Sequence, residues 1–221
     1  MKEIVELTLN GSLGIQWVTL FMNLYALSLQ IPAVDQILKS VLSLETLVQM
    51  IQLTFYTWYA FQIHRIADVT RYRYLDWILT TPLMLFTTMV YYEYRNEKDE
   101  PFTLEDFWNK YWKEVLAVGG FNLIMLAFGY AQELGWIGLG TSTLFGFGGL
   151  FGSFYIMYEG FASKTSTNLP LFWFMFAVWS LYGVAAWFPT ILKNASYNVL
   201  DIFSKNFYGV FLSYLIYTLK V

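Results

Sequence analysis

Asp201 and Lys205 stand four residues apart in an apolar stretch, so in a helix they share one face. Asp76 lies in a second such stretch, one turn after Arg73. An ionisable side chain at the middle of a bilayer costs about 2.5–3.5 kcal/mol on insertion scales. Two carboxylates facing two cations make a set that is neutral as a whole, which is what a low-dielectric interior demands. An ion network that only ties helices together meets the same condition. A charge cluster inside a membrane is nonetheless a functional-site hypothesis by default.

The elements that must position these residues are membrane spans. Of the 221 residues, 57% are hydrophobic and 13% charged, where a soluble domain carries about 25% charged residues; mean hydropathy is +0.46. A helix needs about 20 mostly apolar residues to cross a bilayer. Seven stretches qualify, at about 13–31, 44–63, 74–92, 115–132, 137–160, 169–192 and 197–219. The expected fold is an all-α membrane protein, one seven-transmembrane-helix bundle over 1–221, because unpaired backbone cannot face lipid. The runs are continuous, whereas β-barrel strands alternate over about 10 residues. Aromatic residues, at 21%, exceed what interfacial belts use and point to an aromatic-lined interior as well.

Most connections are short, so sequential helices run antiparallel. The exception, 95–114, opens with the charge run from Arg95 through Lys98 and Asp99 to Glu100, followed by Pro101. Thr103 with Asp106 three residues later is a helix start. Phe107, Trp108, Tyr111 and Trp112 then recur at helical spacing. An interfacial helix at 103–114 and a longer fourth helix protruding into water both fit. Lys39, Arg95, Lys98, Lys110, Lys113, Lys164 and Lys220 against Lys2, Arg65, Arg71, Arg73 and Lys193 favour an outside N-terminus and a cytoplasmic C-terminus. The sequons at Asn10 and Asn194 would then lie outside. Residues 1–12, with Glu3 and Glu6, lack the apolar core of a cleaved signal peptide.

Several functions are excluded. Without cysteine there is no disulfide, thiolate catalysis or cysteine-ligated metal, and a single histidine, His64, makes no multi-histidine metal site. Net charge is −3 with no basic patch for nucleic acid. No nucleophile–base pair or phosphate loop suggests an enzyme, and the glycines around Gly146, Gly148 and Gly149 suit helix packing.

Three segments carry a resemblance. Arg73-Tyr74-Leu75-Asp76-Trp77-Ile78-Leu79-Thr80-Thr81-Pro82-Leu83 resembles the third helix of the microbial (type 1) rhodopsins. Asp201-Ile202-Phe203-Ser204-Lys205 is similar to their seventh-helix motif, and Trp179-Ser180-Leu181-Tyr182 to their sixth-helix pocket. The resemblance implies all-trans retinal bound covalently to Lys205 as a Schiff base. It makes Asp76 and Asp201 the counterions, Arg73 the group holding both ionised, and Thr80 a hydrogen-bond donor to Asp76. Trp77, Thr81, Met84, Trp179 and Tyr182 match the pocket positions. A lysine amine is a good imine former, and a protonated imine in apolar surroundings needs a counterion. The sequence departs from the pattern at Gly183, where pumps carry proline, and at Ala186, with Trp187 shifted by one from an expected tryptophan.

The resemblance also bears on transport. Proton pumps of the family carry an acid three turns beyond the counterion; Thr87 stands there. Residues 190–196 hold Lys193 and no acid for proton release. Ser12, Gln16, Thr19 and Asn23 in the first span, and Glu45, Gln49, Gln52, Tyr56 and Tyr59 in the second, recur at helical spacing. With Asn198, Asp201 and Tyr208 of the seventh span they can line a hydrated path, and the carboxylates favour cations. Such stripes also serve interhelical hydrogen bonding. The Asp76-Thr80-Thr87 set and Glu45 look most like the viral rhodopsins of algal giant viruses, some of which are light-gated cation channels. The expectation is a light-gated cation channel in a plasma or host-cell membrane, its pathway including Glu45, Gln49, Gln52, Asn198 and Ser12. A weak light-driven outward proton pump and a photosensory rhodopsin are the alternatives. Its partners are retinal, the lipid bilayer and the transported cations; a homo-oligomer is left open.

Overall fold

The computed structural model describes residues 2–97 and 100–221, leaving Met1, Lys98 and Asp99 of the charge run outside it. Seven long helices follow in chain order: α1 (Lys2–Ser28), α2 (Gln36–Gln62), α3 (Thr70–Asn96), α4 (Leu104–Glu133), α5 (Leu139–Gly160), α6 (Leu169–Ala185) and α7 (Thr190–Thr218). Three single-turn helices sit in the connections, and no strand occurs among the described residues.

The bundle is built for lipid. Its perimeter exposes large apolar side chains such as Trp17, Phe21, Phe61, Leu75, Leu144 and Trp173, while its interior holds Gln16, Asn23, Gln52, Arg73, Asp201 and Lys205. A soluble protein sorts these the other way. The helices at Leu104–Glu133, Ser166–Ala185 and Thr190–Thr218 are long and apolar enough to cross a membrane by composition alone. The others are diluted by residues on their inward faces, among them the amides of α1 and α2 and the threonines of α3.

Several helices start or stop away from the apolar runs. α1 begins at Lys2 rather than near 13, because Val5 and Leu9 pack on Tyr56, Tyr59 and Ala195 and anchor about three extra turns. At about 1.5 Å per residue its 27 residues reach beyond the roughly 30 Å hydrocarbon core. α6 stops at Ala185, short of the expected 192, and α7 starts at Thr190. Pro189 between them cannot continue a helix and biases Phe188 away from helical geometry.

Residues 104–114 are the first turns of α4 and continue into the fourth span as one helix. Thr103 caps α4: its hydroxyl accepts from the Asp106 amide (3.1 Å) and its own amide donates to the Asp106 carboxylate (2.9 Å). The helix then runs into the fourth span with one bend at Tyr111 (φ −126°, ψ 19°). Glu93 is buried beneath that bend, receiving hydrogen bonds from Tyr111 (2.5 Å) and Lys110 (2.9 Å).

Glycine has a structural task in two places. Gly135 closes α4 with φ +75°, in a turn where the Trp136 amide reaches back to Ala131. Gly149 lets α5 lie against α4, since a Cβ there would sit 2.6 Å from the Phe121 carbonyl oxygen and 2.7 Å from the Met125 nitrogen. α7 contains a π-helical turn at Ile202–Asn206, the turn that carries Lys205. Such turns are rare and cluster at functional sites.

Candidate functional site

The ionisable residues of α3 and α7 meet at the centre of the bundle. Lys205 Nζ pairs with Asp76 Oδ2 and lies 3.8 Å from Asp201 Oδ1. Arg73 reaches Asp201 (3.5 Å). All four side chains are at most 2% exposed. Among the described residues Arg73 forms its ion pair with Asp201 and none with Asp76. One expected detail is corrected. Thr80 does not donate to the Asp76 carboxylate; its hydroxyl bonds back to the Asp76 carbonyl oxygen (2.9 Å), as helical threonines commonly do. Asp76 Oδ1 consequently has no protein partner.

Asp201 is held by partners that no local motif announces. Tyr56 on α2 donates to its Oδ2 (2.6 Å) and Tyr182 on α6 to its Oδ1 (2.7 Å), while Tyr182 also meets Ser204 (2.8 Å). Arg73 is caged by the rings of Phe55, Tyr56, Tyr59 and Tyr197, at 5.6–5.9 Å from guanidinium carbon to ring centroid. Cation–π attraction of this kind adds about 0.5–2 kcal/mol per favourable ring. Its remaining hydrogens go to Asn198 Oδ1 (2.5 Å) and to the side chain (3.4 Å) and backbone (3.3 Å) of Asn194.

A cavity extends from Lys205 between α3, α4, α5, α6 and α7. Trp77, Thr81, Met84, Trp179 and Tyr182 all line it, so the five pocket residues named from sequence lie together. Trp77 stands edge-on to Tyr182 (5.6 Å) and Tyr197 (5.3 Å). Thr81 accepts from Asn122 of α4 (2.9 Å). The sequence did not register α5, which contributes Gly146, Phe147 and Leu150, with Met125 and Leu126 from α4. A Cβ at Gly146 would meet nothing within 4 Å, whereas one at Gly183 would strike the Phe147 ring at 2.6 Å. The cavity is thus polar where Lys205, Asp201, Ser204 and Tyr182 converge and apolar toward Phe147 and Leu150. That lining suits an apolar molecule bearing a carbonyl at one end, so the residues present fit retinal. Ala186 lines the cavity, while Trp187 is 56% exposed and donates to Thr143 (3.0 Å).

On the other side of Lys205 the polar stripes of α1, α2 and α7 close on each other. Ser12, Gln16, Glu45, Gln49, Gln52, Asn198 and Asn206 are at most 2% exposed. Toward the C-terminal end of α3, Glu45 accepts from Thr87. The site expected to lack an acid therefore has one, supplied by α2 instead of α3. In the middle, Gln16 donates to Ser12 (3.0 Å) and Gln49 accepts from Asn206 (3.0 Å). Toward the end where α1 and α7 begin, Asn198 donates to Thr8 (3.0 Å).

Residues 190–196 hold no acid of their own, but acids from other elements stand beside them. Lys193 pairs with Glu133 (2.9 Å) from α4 and with Asp68 (3.9 Å) from the α2–α3 connection. Burial works against ionisation of Asp68, yet the Thr70 hydroxyl and amide, the Asn194 amide and the Lys193 charge hold its carboxyl below the ordinary carboxylate range. Asn194, the second sequon asparagine, is buried in this cluster, and Ser12 of the first sequon is buried too.

A family model described as bacteriorhodopsin-like protein matches residues 8–219. No curated protein sequence matches the chain. Among solved structures, the viral rhodopsin OLPVRII shares 25% identity at a TM-score of 0.86, over 98% of this chain and 99% of that one. The proton-pumping rhodopsin of the marine alga Acetabularia acetabulum shares 18% at 0.72, over 98% and 95%. Xanthorhodopsin, described as a light-driven ion pump with dual chromophore, shares 14% at 0.76, over 98% and 93%. The last two likenesses speak for the fold alone.

Proposed function

The chain belongs to the bacteriorhodopsin-like family, as a microbial rhodopsin similar to the viral rhodopsins, and from that premise we propose that it is a retinal-binding photoreceptor acting as a light-gated cation channel. It is an integral membrane protein; the N-terminus is assigned to the outside, the C-terminus to the cytoplasm, and the site of action to a plasma or host-cell membrane. All-trans retinal, joined to Lys205 Nζ, would supply photon absorption and isomerisation. Trp77, Thr81, Met84, Trp179 and Tyr182 orient it and keep water from the polyene end of the cavity.

Asp76 Oδ2 holds the proton of Nζ in the dark, and Asp201, steadied by Tyr56 and Tyr182, supplies the second negative charge. Displacement of Nζ from Asp76 frees a carboxylate whose other oxygen is already unpartnered. Because Asp201 is shared by Lys205 and Arg73, that displacement also loosens Arg73 from Asn198. Arg73 with Asn198 is the outer closure of the path, the lysine with its two carboxylates the central one, and Glu45 with Thr87 the inner one. The observation that carries the reading is this set of buried polar side chains, Asn198, Gln52, Gln49 and Glu45, with Asn206, next to Lys205 in the chain, bonded to Gln49. Illuminated cells held at different voltages test it: current that changes sign supports a channel, and current of one direction at every voltage contradicts it.

One observation favours a second reading. Glu45 on Thr87 provides a carboxylate on the inner side of Lys205, where it can return a proton to Nζ. An outward proton pump would use it so and would lose its current in Asp76→Asn. No enzymatic role is proposed.

A further inference from the structure

Helices α5 and α6 meet along a seam that is closed unevenly. Along the C-terminal part of α5 it is closed by rings: Tyr158 on Phe172 (5.3 Å), Phe154 on Phe176 (5.4 Å) and Phe151 on Phe176 (5.7 Å). Near the N-terminal end of α5 it is closed by one bond, from Trp187 Nε1 to the Thr143 hydroxyl (3.0 Å). Between these closures stand Gly146 and Gly183, which have no side chain to offer. The ring of Phe147 covers this stretch. It rests where a Gly183 side chain would be, since a Cβ there would lie 2.6 Å and 2.8 Å from two of its carbons. A Cβ at Gly146 would meet nothing within 4 Å. Gly146, Phe147 and Gly183 all line the retinal cavity, and all three are also partly exposed on the perimeter of the bundle. At this level a single aromatic ring separates the cavity from lipid.

The geometry points to Gly146 and Gly183 as the frame of an entrance, with Phe147 as its lid, through which all-trans retinal reaches the slot sideways from the bilayer. The inference rests on the retinal reading of that slot. The other end of the cavity offers no comparable way in. There Lys205, Asp201, Tyr182 and Ser204 are joined by an ion pair and hydrogen bonds, and Asp201 is also engaged by Tyr56 and Arg73. An apolar molecule arriving from that end would part buried charges from their partners, which is costly. From the bilayer it exchanges one apolar surrounding for another. An entrance at the apolar end also fixes the order of entry. The carbonyl end goes in first and comes to Lys205 Nζ, and Phe147 closes behind the ring end. The motion required is small, because one side chain leaves its seat on Gly183 and no helix has to part from its neighbour. Trp187, 56% exposed, straps one edge of the opening without lining the slot.

The test uses the full chain in lipid vesicles, prepared without chromophore and then given all-trans retinal in the bilayer, and follows the growth of the visible band. Phe147→Ala removes the lid and takes up retinal about tenfold faster than the unaltered protein, whereas Phe147→Tyr, which keeps the ring, does not. Trp187→Phe loses the strap and quickens uptake by a smaller factor. A second rate separates an entrance from general loosening. Hydroxylamine, a polar reagent, attacks the finished pigment from water, and its dark bleaching rate stays the same in all four proteins. Equal uptake by the unaltered protein and Phe147→Ala overturns the entrance, as does a hydroxylamine rate that rises in parallel with uptake. If Phe147→Ala does not fold, Trp187→Phe decides by the same two rates. A band that grows equally fast in every variant removes the entrance and leaves the slot; no band in the unaltered protein removes the slot itself.

Discussion

The two halves of the bundle solve burial in opposite ways. On the α4–α5–α6 side, Gly149, Phe147, Phe154 and Phe172 pack apolar surface on apolar surface, leaving a cavity that ends at Lys205. On the α1–α2–α7 side, Gln16, Gln49, Gln52, Asn198 and Asn206 bury amides, several of them incompletely bonded. Apolar packing defines a slot for one rigid molecule. Buried amides left partly unpaired are, in the proposed channel, the route for water or ions. Lys205 stands where the halves meet, and this is how an event in the slot can be felt in the route.

The largest expected effect falls on that boundary. Lys205→Ala abolishes the visible absorption of retinal-treated protein; a persisting band would remove the slot from the account. Asp76→Asn strands a buried cation, and breaking such a pair costs about 3–5 kcal/mol, read as a fall in dark thermal stability. Within the apolar half, Gly149→Leu drives a side chain into the α4 backbone and costs about 1–3 kcal/mol. Gly146→Ala, facing open space, leaves stability unchanged but moves the absorption maximum, because its methyl enters the slot. Equal destabilisation by the two would break the contrast between packed wall and open cavity. The smallest effect is at the outer mouth. A carboxyl held below its ordinary value stabilises the fold above the unfolded value, about pH 3.9 for aspartate, and loses that contribution as pH falls through the folded value. Acid unfolding of Asp68→Asn is therefore less steep below about pH 4 than that of the unaltered protein.

The chain made some of this legible and hid the rest for physical reasons. Charge in an apolar run is conspicuous, so Asp76, Asp201 and Lys205 could be read directly, and seven apolar stretches gave the helix count. The partners of Asp201 could not be read, because Tyr56 and Tyr182 are two tyrosines among 17 and only the fold aims them at one carboxylate. Thr87 looked like a missing acid because a single helix was considered; Glu45 fills the place from the neighbouring one. The outer cluster of Asp68, Glu133 and Lys193 draws on three separate elements, and the π-helical turn beneath Lys205 has no local signature. Pro189 did mark the end of α6, but the apolar run passing through it concealed the break.

The most direct measurement of the central claim is the reversal potential of the light-evoked current as the monovalent cation gradient is varied. The account predicts current that reverses and a reversal potential that moves toward about 59 mV per tenfold change in the permeant ion. Current that keeps one direction at every voltage and every gradient would contradict it, and would make the Glu45–Thr87 pair part of a pump.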